Sequence, residues 1–382
     1  MQNKFKITLS LLLLHMPLLS ADIAKQERIL GEKLFSDPIL SKNQTQSCST
    51  CHNPEHAFID NRDNGVAGAG SLGDDQKSIG DRNTPTISYA LYSPKFHYDA
   101  KKKEYIGGLF YDGRAHTLEE QAEGPPLNPV EMALPSKEFL VEHLKNDTAY
   151  NREFTKLYGK DIFNDANKTY ASVAKAIASF ERTEQFAPFD SKYDRYLRGE
   201  YDLTPLEDLG RTLFFSNNNT NCVSCHMLKT EDAPKETFTN YQYHNIGVPQ
   251  NHTLMSKNVV DAKTFRDHGL AKNSSVNNPL HDGKIKVPSL RNIAVTAPYM
   301  HNGVFQKLST VVEFYDKYAN EQRTINPESS KKWEDAEIAV GAKDRELLKK
   351  AKPLNERKIK ALVAFMNTLT DKRYEHLIKE EN

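Results

Sequence analysis

Cysteine is scarce: there are four in 382 residues, and none lies outside two short motifs. None is left over for another purpose, and none follows the N-terminal apolar run to take a lipid. Charge of one sign is not in excess either. The 51 basic residues balance 51 acidic ones and no basic block stands out, which argues against nucleic acid as a partner. Past the N-terminus no stretch approaches the roughly 18 apolar residues of a spanning helix, so the chain is not expected to cross a membrane. Hydrophobic residues make up only 38%, low for a chain long enough to hold two domains.

The N-terminus reads as a secretory signal peptide over residues 1–21. Lys4 and Lys6 supply the positive end, and Ile7 to Leu19 the apolar run, interrupted by His15 and Pro17. Ser20 and Ala21 are the small residues before a cleavage point. The mature chain is expected to begin near Asp22 and to be a soluble periplasmic protein.

The cysteines form Cys48-Ser49-Thr50-Cys51-His52 and Cys222-Val223-Ser224-Cys225-His226. Two thiols three positions apart reach the two vinyl groups of one porphyrin, and the next residue offers its imidazole to the iron. A zinc ribbon wants its pairs about 15–20 residues apart, whereas these lie far apart in the chain, and a redox dithiol needs no histidine after each pair. The reading is two covalently bound haem c groups, with His52 and His226 as iron ligands. Export fits, because c-type haem is attached outside the cytoplasm. Two buried porphyrins would also supply apolar core that the side chains lack.

One unit is used twice. Before the first motif comes Glu27 to Phe35 and before the second Glu207 to Phe215, with Leu-Gly-x-x-Leu-Phe in common. Each half ends in another apolar-periodic helix, Ser172 to Thr183 and Glu356 to Thr370, carrying Ala-Ile-Ala-Ser-Phe and Leu-Val-Ala-Phe-Met. The fold expected is mainly α, with two cytochrome c-like haem domains in tandem, residues 22–196 and 197–382, joined near Asp190 to Thr204. The middles, such as Gly65 to Gly80 and Ser216 to Asn221, read as long loops that wrap a ligand the size of a porphyrin. Tyr98 to Gly107, with Lys101 to Lys103, reads as a solvated hairpin tip.

After the first motif stand Arg82-Asn83-Thr84-Pro85, Tyr111-Asp112-Gly113-Arg114, Gln121-Ala122, Pro125 and Glu131-Met132. The second half adds Val287 to Asn292 and Thr296 to Gly303. In these strings the chain resembles the bacterial dihaem cytochrome c peroxidase and MauG family over nearly all of its mature length. The resemblance implies a peroxide-using enzyme. Glu131 matches the family's distal carboxylate over the peroxide-binding haem and Gln121 its pocket glutamine. A positioned carboxylate moves a proton between the two peroxide oxygens, and an apolar pocket raises its pKa to suit. Asn83 with the carbonyls of Thr296 and Pro298 resembles the family's calcium site between the domains. Homodimers are common in that family.

Three departures sort the branches. Where the reductively activated peroxidases carry a plugging histidine, sixteen residues after His52, this chain has Gly68, so the first iron is expected to be open at rest. Where they carry a methionine ligand of the second iron, it has Tyr315, the kind of ligand MauG places there. A phenolate stabilises ferric and higher states, while Met300, Met255 and Met227 stay conceivable in its place. The family tryptophan between the haems is Tyr111 here, a relay whose electron loss is coupled to a proton. Trp333, the single tryptophan, reads as a packing residue, Arg291 as a partner for a haem propionate, and His244 and His268 as structural residues near the second haem.

The resulting reading is a peroxidase that reduces hydrogen peroxide to water. Electrons reach it through the second haem from a small cytochrome c or another periplasmic donor. The rival is a MauG-like enzyme that oxidises aromatic residues of a protein substrate, and the third reading is an electron carrier without catalysis.

Overall fold

The computed structural model describes residues 21–379 apart from 232, 234, 258–263 and 277. The cleaved segment expected at residues 1–21 lies almost wholly outside them. The described chain is mainly helical. Its strands form three two-stranded antiparallel ribbons: His97–Asp99 with Glu104–Ile106, Tyr243–His244 with Ile285–Lys286, and Ile325–Asn326 with Lys331–Lys332. The first ribbon turns at Lys101 to Lys103, as the charge run there implied.

Capping fixes where the long helices start. Thr204 and Glu207 form a capping box ahead of Pro205–Phe214, with Pro205 in the first turn, where its missing N–H costs nothing. Asp165 accepts from the amides of Asn167 and Lys168, so the helix closing the first half runs over Ala166–Glu181. It begins six residues before the expected Ser172, because its first turn is polar and apolar spacing does not reveal it. The corresponding helix of the second half is Glu356–Asn367, capped by Asn355.

The repeated glycine has a physical reason. Gly31, in the helix over residues 21–36, faces Ala176 so closely that a Cβ would overlap the Ala176 carbonyl oxygen. Gly210, in Pro205–Phe214, meets the Ala361 carbonyl in the same way. In both pairs the next neighbour is a phenylalanine four residues after the alanine, Phe180 or Phe365. The opening and closing helices of each half therefore cross backbone to backbone, which no larger residue permits.

Buried apolar side chains gather mainly into two clusters. One draws on residues from Leu30 to Phe186 and the other on residues from Tyr193 to Leu369. Polar contacts tie the two parts of the chain together. The guanidinium of Arg82 grips Asp267 through two bonds of 2.7 Å, Tyr89 Oη donates to Asp371 at 2.5 Å, and Tyr243 Oη donates to the Gly107 carbonyl at 2.5 Å.

Candidate functional site

Both cysteine motifs open onto one cavity of about 940 Å³. Its wall includes Cys48, Cys51 and His52, and Cys222, Cys225 and His226. Cys48–Cys51 is a single helical turn capped by Ser47, which puts its two thiols on one side; Cys222–Ser224 is a 3₁₀ turn entered from Asn221 in the left-handed region. Burial pushes the Cys51 and Cys222 thiols up to about 11, the opposite of what a reactive dithiol needs.

The two histidines are held alike. His52 Nδ1 lies 3.1 Å from the Phe58 carbonyl and His226 Nδ1 3.1 Å from the Phe238 carbonyl. A carbonyl only accepts, so each Nδ1 carries the proton and each Nε2 is left as the basic nitrogen, the arrangement of a metal-ligating histidine. Both rings lie in the wall of the cavity. Phe58 and Phe238 are both fully buried and both have φ in the left-handed region, +56° and +54°. Such a conformation costs about 1–2 kcal/mol in an L-residue, and the aromatic packing sustains it. The Phe58 ring stacks on Phe186 at 4.3 Å, and the Phe238 ring lies edge-on to Tyr193 at 5.4 Å. These residues fit a covalent haem at each motif.

The surroundings of the two motifs differ. Glu131 and Gln121 line the cavity with Pro125, Met132 and Arg114. Gln121 sits on the helix Leu118–Ala122, and Glu131 lies on the turn that follows Gly124–Leu127, where Asn128 Nδ2 donates to its Oε1 at 2.8 Å. Burial raises the Glu131 carboxyl above its ordinary value, against the pull of Arg114 and Asn128. Its neighbour Met132 packs in the cluster that holds Cys48. Gly68 supplies no side chain here, and its carbonyl accepts from Asn83 Nδ2 at 3.2 Å. The histidines lining the cavity are His52, His226, His244, His268 and His301.

At the other motif Tyr315, on the helix Leu308–Asp316, lines the cavity. Burial raises its phenol, and the Cys225 and Cys222 thiols raise it further, so it stands beside them. Among the described residues its hydroxyl has no hydrogen-bond partner. Met300 also lines the cavity, whereas Met227 does not, and Met255 is packed in a separate cluster with Val66, Ala69, Ile79 and Leu254. Tyr111 is half-buried between the two halves, with its ring 6.4 Å from that of His301 and its carbonyl accepting from Lys286 N at 2.9 Å. Asn83, Thr296 and Pro298 line the cavity too, and Pro298 packs on Gly68, whose carbonyl Asn83 holds.

One expectation is overturned. Arg291 does not reach the cavity; its buried guanidinium is taken up by Asp194, through bonds of 2.6 and 3.0 Å, and by Ser191 and the Glu236 carbonyl. Trp333 packs edge-on against Phe305 and Phe314, and its indole donates to the Arg323 carbonyl at 2.9 Å.

Several polar interactions of the cavity were not foreseen. Arg82 bridges Asp267 and Asp112, and His301 Nε2 lies 3.7 Å from Asp267. Lys286 is half-buried with its ammonium on the Gly108 carbonyl, and desolvation lowers it to about 8. Glu181, pushed up to about 8 by burial, has an Oε2 without a partner. His244 gives Nδ1 to Asp344 at 3.0 Å and keeps a buried, unpartnered Nε2. Arg82, Asp112 and Lys286 lie within or beside strings that stood out in the sequence; Glu181 simply follows an apolar helix face.

A helical chain that turns two Cys-x-x-Cys-His motifs into one cavity, with each histidine oriented by a backbone carbonyl, is a c-type cytochrome with two haem sites. A family model described as di-haem cytochrome c peroxidase matches residues 25–202. The chain is 48% identical over 354 residues to the methylamine utilization protein MauG of Paracoccus denitrificans, covering 92% of this chain and 90% of that one. It is 30% identical to the cytochrome c551 peroxidase of Nitrosomonas europaea, covering 77% and 72%. The crystal structure of the diheme peroxidase BthA from Burkholderia thailandensis superposes with a TM-score of 0.81 at 30% identity, covering 92% of this chain and 88% of that one. The chain belongs to the dihaem cytochrome c peroxidase and MauG family, and it is an oxidoreductase that uses peroxide.

Proposed function

We propose that the protein is a periplasmic dihaem peroxidase that reduces hydrogen peroxide to water with electrons entering through the second haem. The donor is a cytochrome c or a similar periplasmic carrier. Two cytochrome c-like units, residues 22–196 and 197–382, carry one haem each; the two separate apolar clusters support a division in this region, although Tyr193 and Tyr196 already pack with the second cluster. The observation that carries the reading is the inequality of the two motifs. Ala122 and Met132, the neighbours of Gln121 and Glu131, pack in the cluster that holds Cys48, whereas Val312 and Phe314, on the helix of Tyr315, pack in the cluster that holds Cys222.

When bound, the haem irons supply peroxide binding at the first site and electron passage at the second. His52 and His226 hold them through Nε2. Gln121 donates a hydrogen bond that positions the peroxide. Glu131 takes the proton from the inner peroxide oxygen and returns it to the leaving one, and a carboxyl raised by burial is suited to both transfers. Each turnover consumes one peroxide, two electrons and two protons and yields two waters. Tyr315 would offer its phenol oxygen to the second iron when the haem is bound, and a cation there would oppose the rise that burial imposes on the phenol. Tyr111 bridges the halves as a relay. Calcium at Asn83 with the Thr296 and Pro298 carbonyls belongs to the same proposal, and the approach of Asn83 and the Pro298 ring to Gly68 supports it.

A second reading is favoured by Tyr315 together with the 48% identity to a methylamine utilization protein. In it the electrons come from aromatic side chains of a protein substrate. Peroxide added to the diferric protein separates the two. Reaction without prior reduction is expected from the absence of a plugging histidine, and sustained consumption of reduced cytochrome c supports the first reading. If neither cytochrome c nor an acidic carrier protein is oxidised although peroxide reacts, the first reading falls and the second stands.

A further inference from the structure

The chain as a whole is uncharged, yet residues 343–352 hold five cations, Lys343, Arg345, Lys349, Lys350 and Lys352, against two acids, Asp344 and Glu346. Both acids are occupied. Asp344 takes His244 Nδ1 at 3.0 Å and the Asn245 amide at 2.9 Å, and Glu346 pairs with Lys349 at 2.6 Å. Arg345 donates to the neutral carbonyls of Ala339 and Val340 and keeps its charge. Lys343, Lys350 and Lys352 are exposed and form no ion pair among the described residues.

The fold sets these charges at the edge of the second motif. Lys352 N donates to the Asn219 carbonyl at 2.7 Å, and Asn221, the residue before Cys222, donates through Nδ2 to the Leu347 carbonyl at 3.4 Å. Leu348, Ala351 and Lys352 line the cavity together with Thr220, Asn221 and Cys222. The intervening loop, residues 216–221, has no charged side chain. Asp344, tied to His244, pins the helix Ala342–Leu348 over the cavity wall. The segment before Cys48 packs instead on an acid: Asp74 takes the side chains of Asn43 and Thr45. The lysine excess thus marks the second motif and not the first.

We propose that this rim is the docking face for a soluble redox protein with an acidic face, which exchanges electrons with the haem attached at Cys222 and Cys225. The proposal deepens the reading of the second haem as the electron entry and rests on it. Unpaired exposed cations steer an acidic partner over distances comparable with the Debye length, about 8 Å at physiological ionic strength, so the encounter weakens as salt rises.

The test uses the haem-loaded full chain. The probe is acidic plant plastocyanin, the control of opposite charge is basic mitochondrial cytochrome c, and hydroquinone serves as an uncharged reductant. Calorimetry should show plastocyanin binding at about 10 mM ionic strength and losing about tenfold in affinity at about 300 mM. The double variant Lys343→Glu with Lys350→Glu should lose a further factor of about ten at low salt. Cytochrome c should bind that variant better than the parent, and hydroquinone-driven peroxide turnover should stay unchanged. The neutral pair Lys343→Gln with Lys350→Gln should fall between, which separates charge from misfolding. Absence of plastocyanin binding at low salt, or binding indifferent to salt and to charge reversal, overturns the docking face. Failure of hydroquinone turnover in the parent protein overturns the peroxidase reading instead, and calorimetry still decides the rim.

Discussion

The Phe58 carbonyl holds His52 Nδ1 at 3.1 Å from a left-handed backbone position that the fully buried Phe58 ring keeps in place. Core packing thereby sets the orientation of an iron ligand. Phe58→Ala removes the ring and is expected to cost about 3–5 kcal/mol of stability. It should also alter the electron paramagnetic resonance of the first haem alone, because Phe238 continues to hold His226. An unaltered first-haem signal in a destabilised variant would show that the ring does not set the ligand.

The Arg82–Asp267 pair gives a pH dependence with a definite sign. Burial alone would raise Asp267, but the hydrogen bonds and charge of Arg82, with help from His301 and the Gly269 amide, hold it well below the usual carboxylate range. A carboxyl depressed in the folded state adds stability above its unfolded pKa of about 4, and that stability drains away as the pH falls below it. Thermal melts from pH 7 down to pH 2 should show the loss. Arg82→Met strands a buried carboxylate and is expected to cost about 3–5 kcal/mol near neutral pH. If the variant melts like the parent at pH 7, the pair does not hold the halves together.

For Glu131→Gln, peroxide turnover should fall by about 10²–10⁴-fold, the range of a lost acid–base group. Haem content, read from the pyridine haemochrome, should stay at two per chain, since Cys48, Cys51 and His52 are untouched. Retained turnover would remove Glu131 from the proton transfers.

Replacing the phenol of Tyr315 by Phe keeps the ring and removes the oxygen. The low-spin signal should change while the high-spin signal does not. An unchanged low-spin signal would pass the ligand role to Met300, which lines the same cavity.

The haem motifs were legible because their chemistry is local in sequence, and the remaining strings through their resemblance to a family. The Cys-x-x-Cys-His spacing, the apolar faces around Leu30 and Leu34, and the strings carrying Tyr111, Gln121 and Glu131 each lie within a few residues. What escaped is carried by pairs far apart in the chain. Arg82 meets Asp267 across 185 residues, and His244 meets Asp344 across 100. Arg291 reads as a propionate partner from charge alone, and only the fold reveals that Asp194 had claimed it. The early start of the helix Ala166–Glu181 escaped for the opposite reason: its signal is a single capping aspartate ahead of a polar turn.

The crossings of Gly31 with Ala176 and of Gly210 with Ala361 involve only the first and last helices of each half. Everything between them is free to change length without disturbing the crossing. The chain uses that freedom, spanning six residues from His52 to its anchoring carbonyl and twelve from His226 to its own. Insertions and deletions should therefore be tolerated in the intervening loops and rejected at the two glycines.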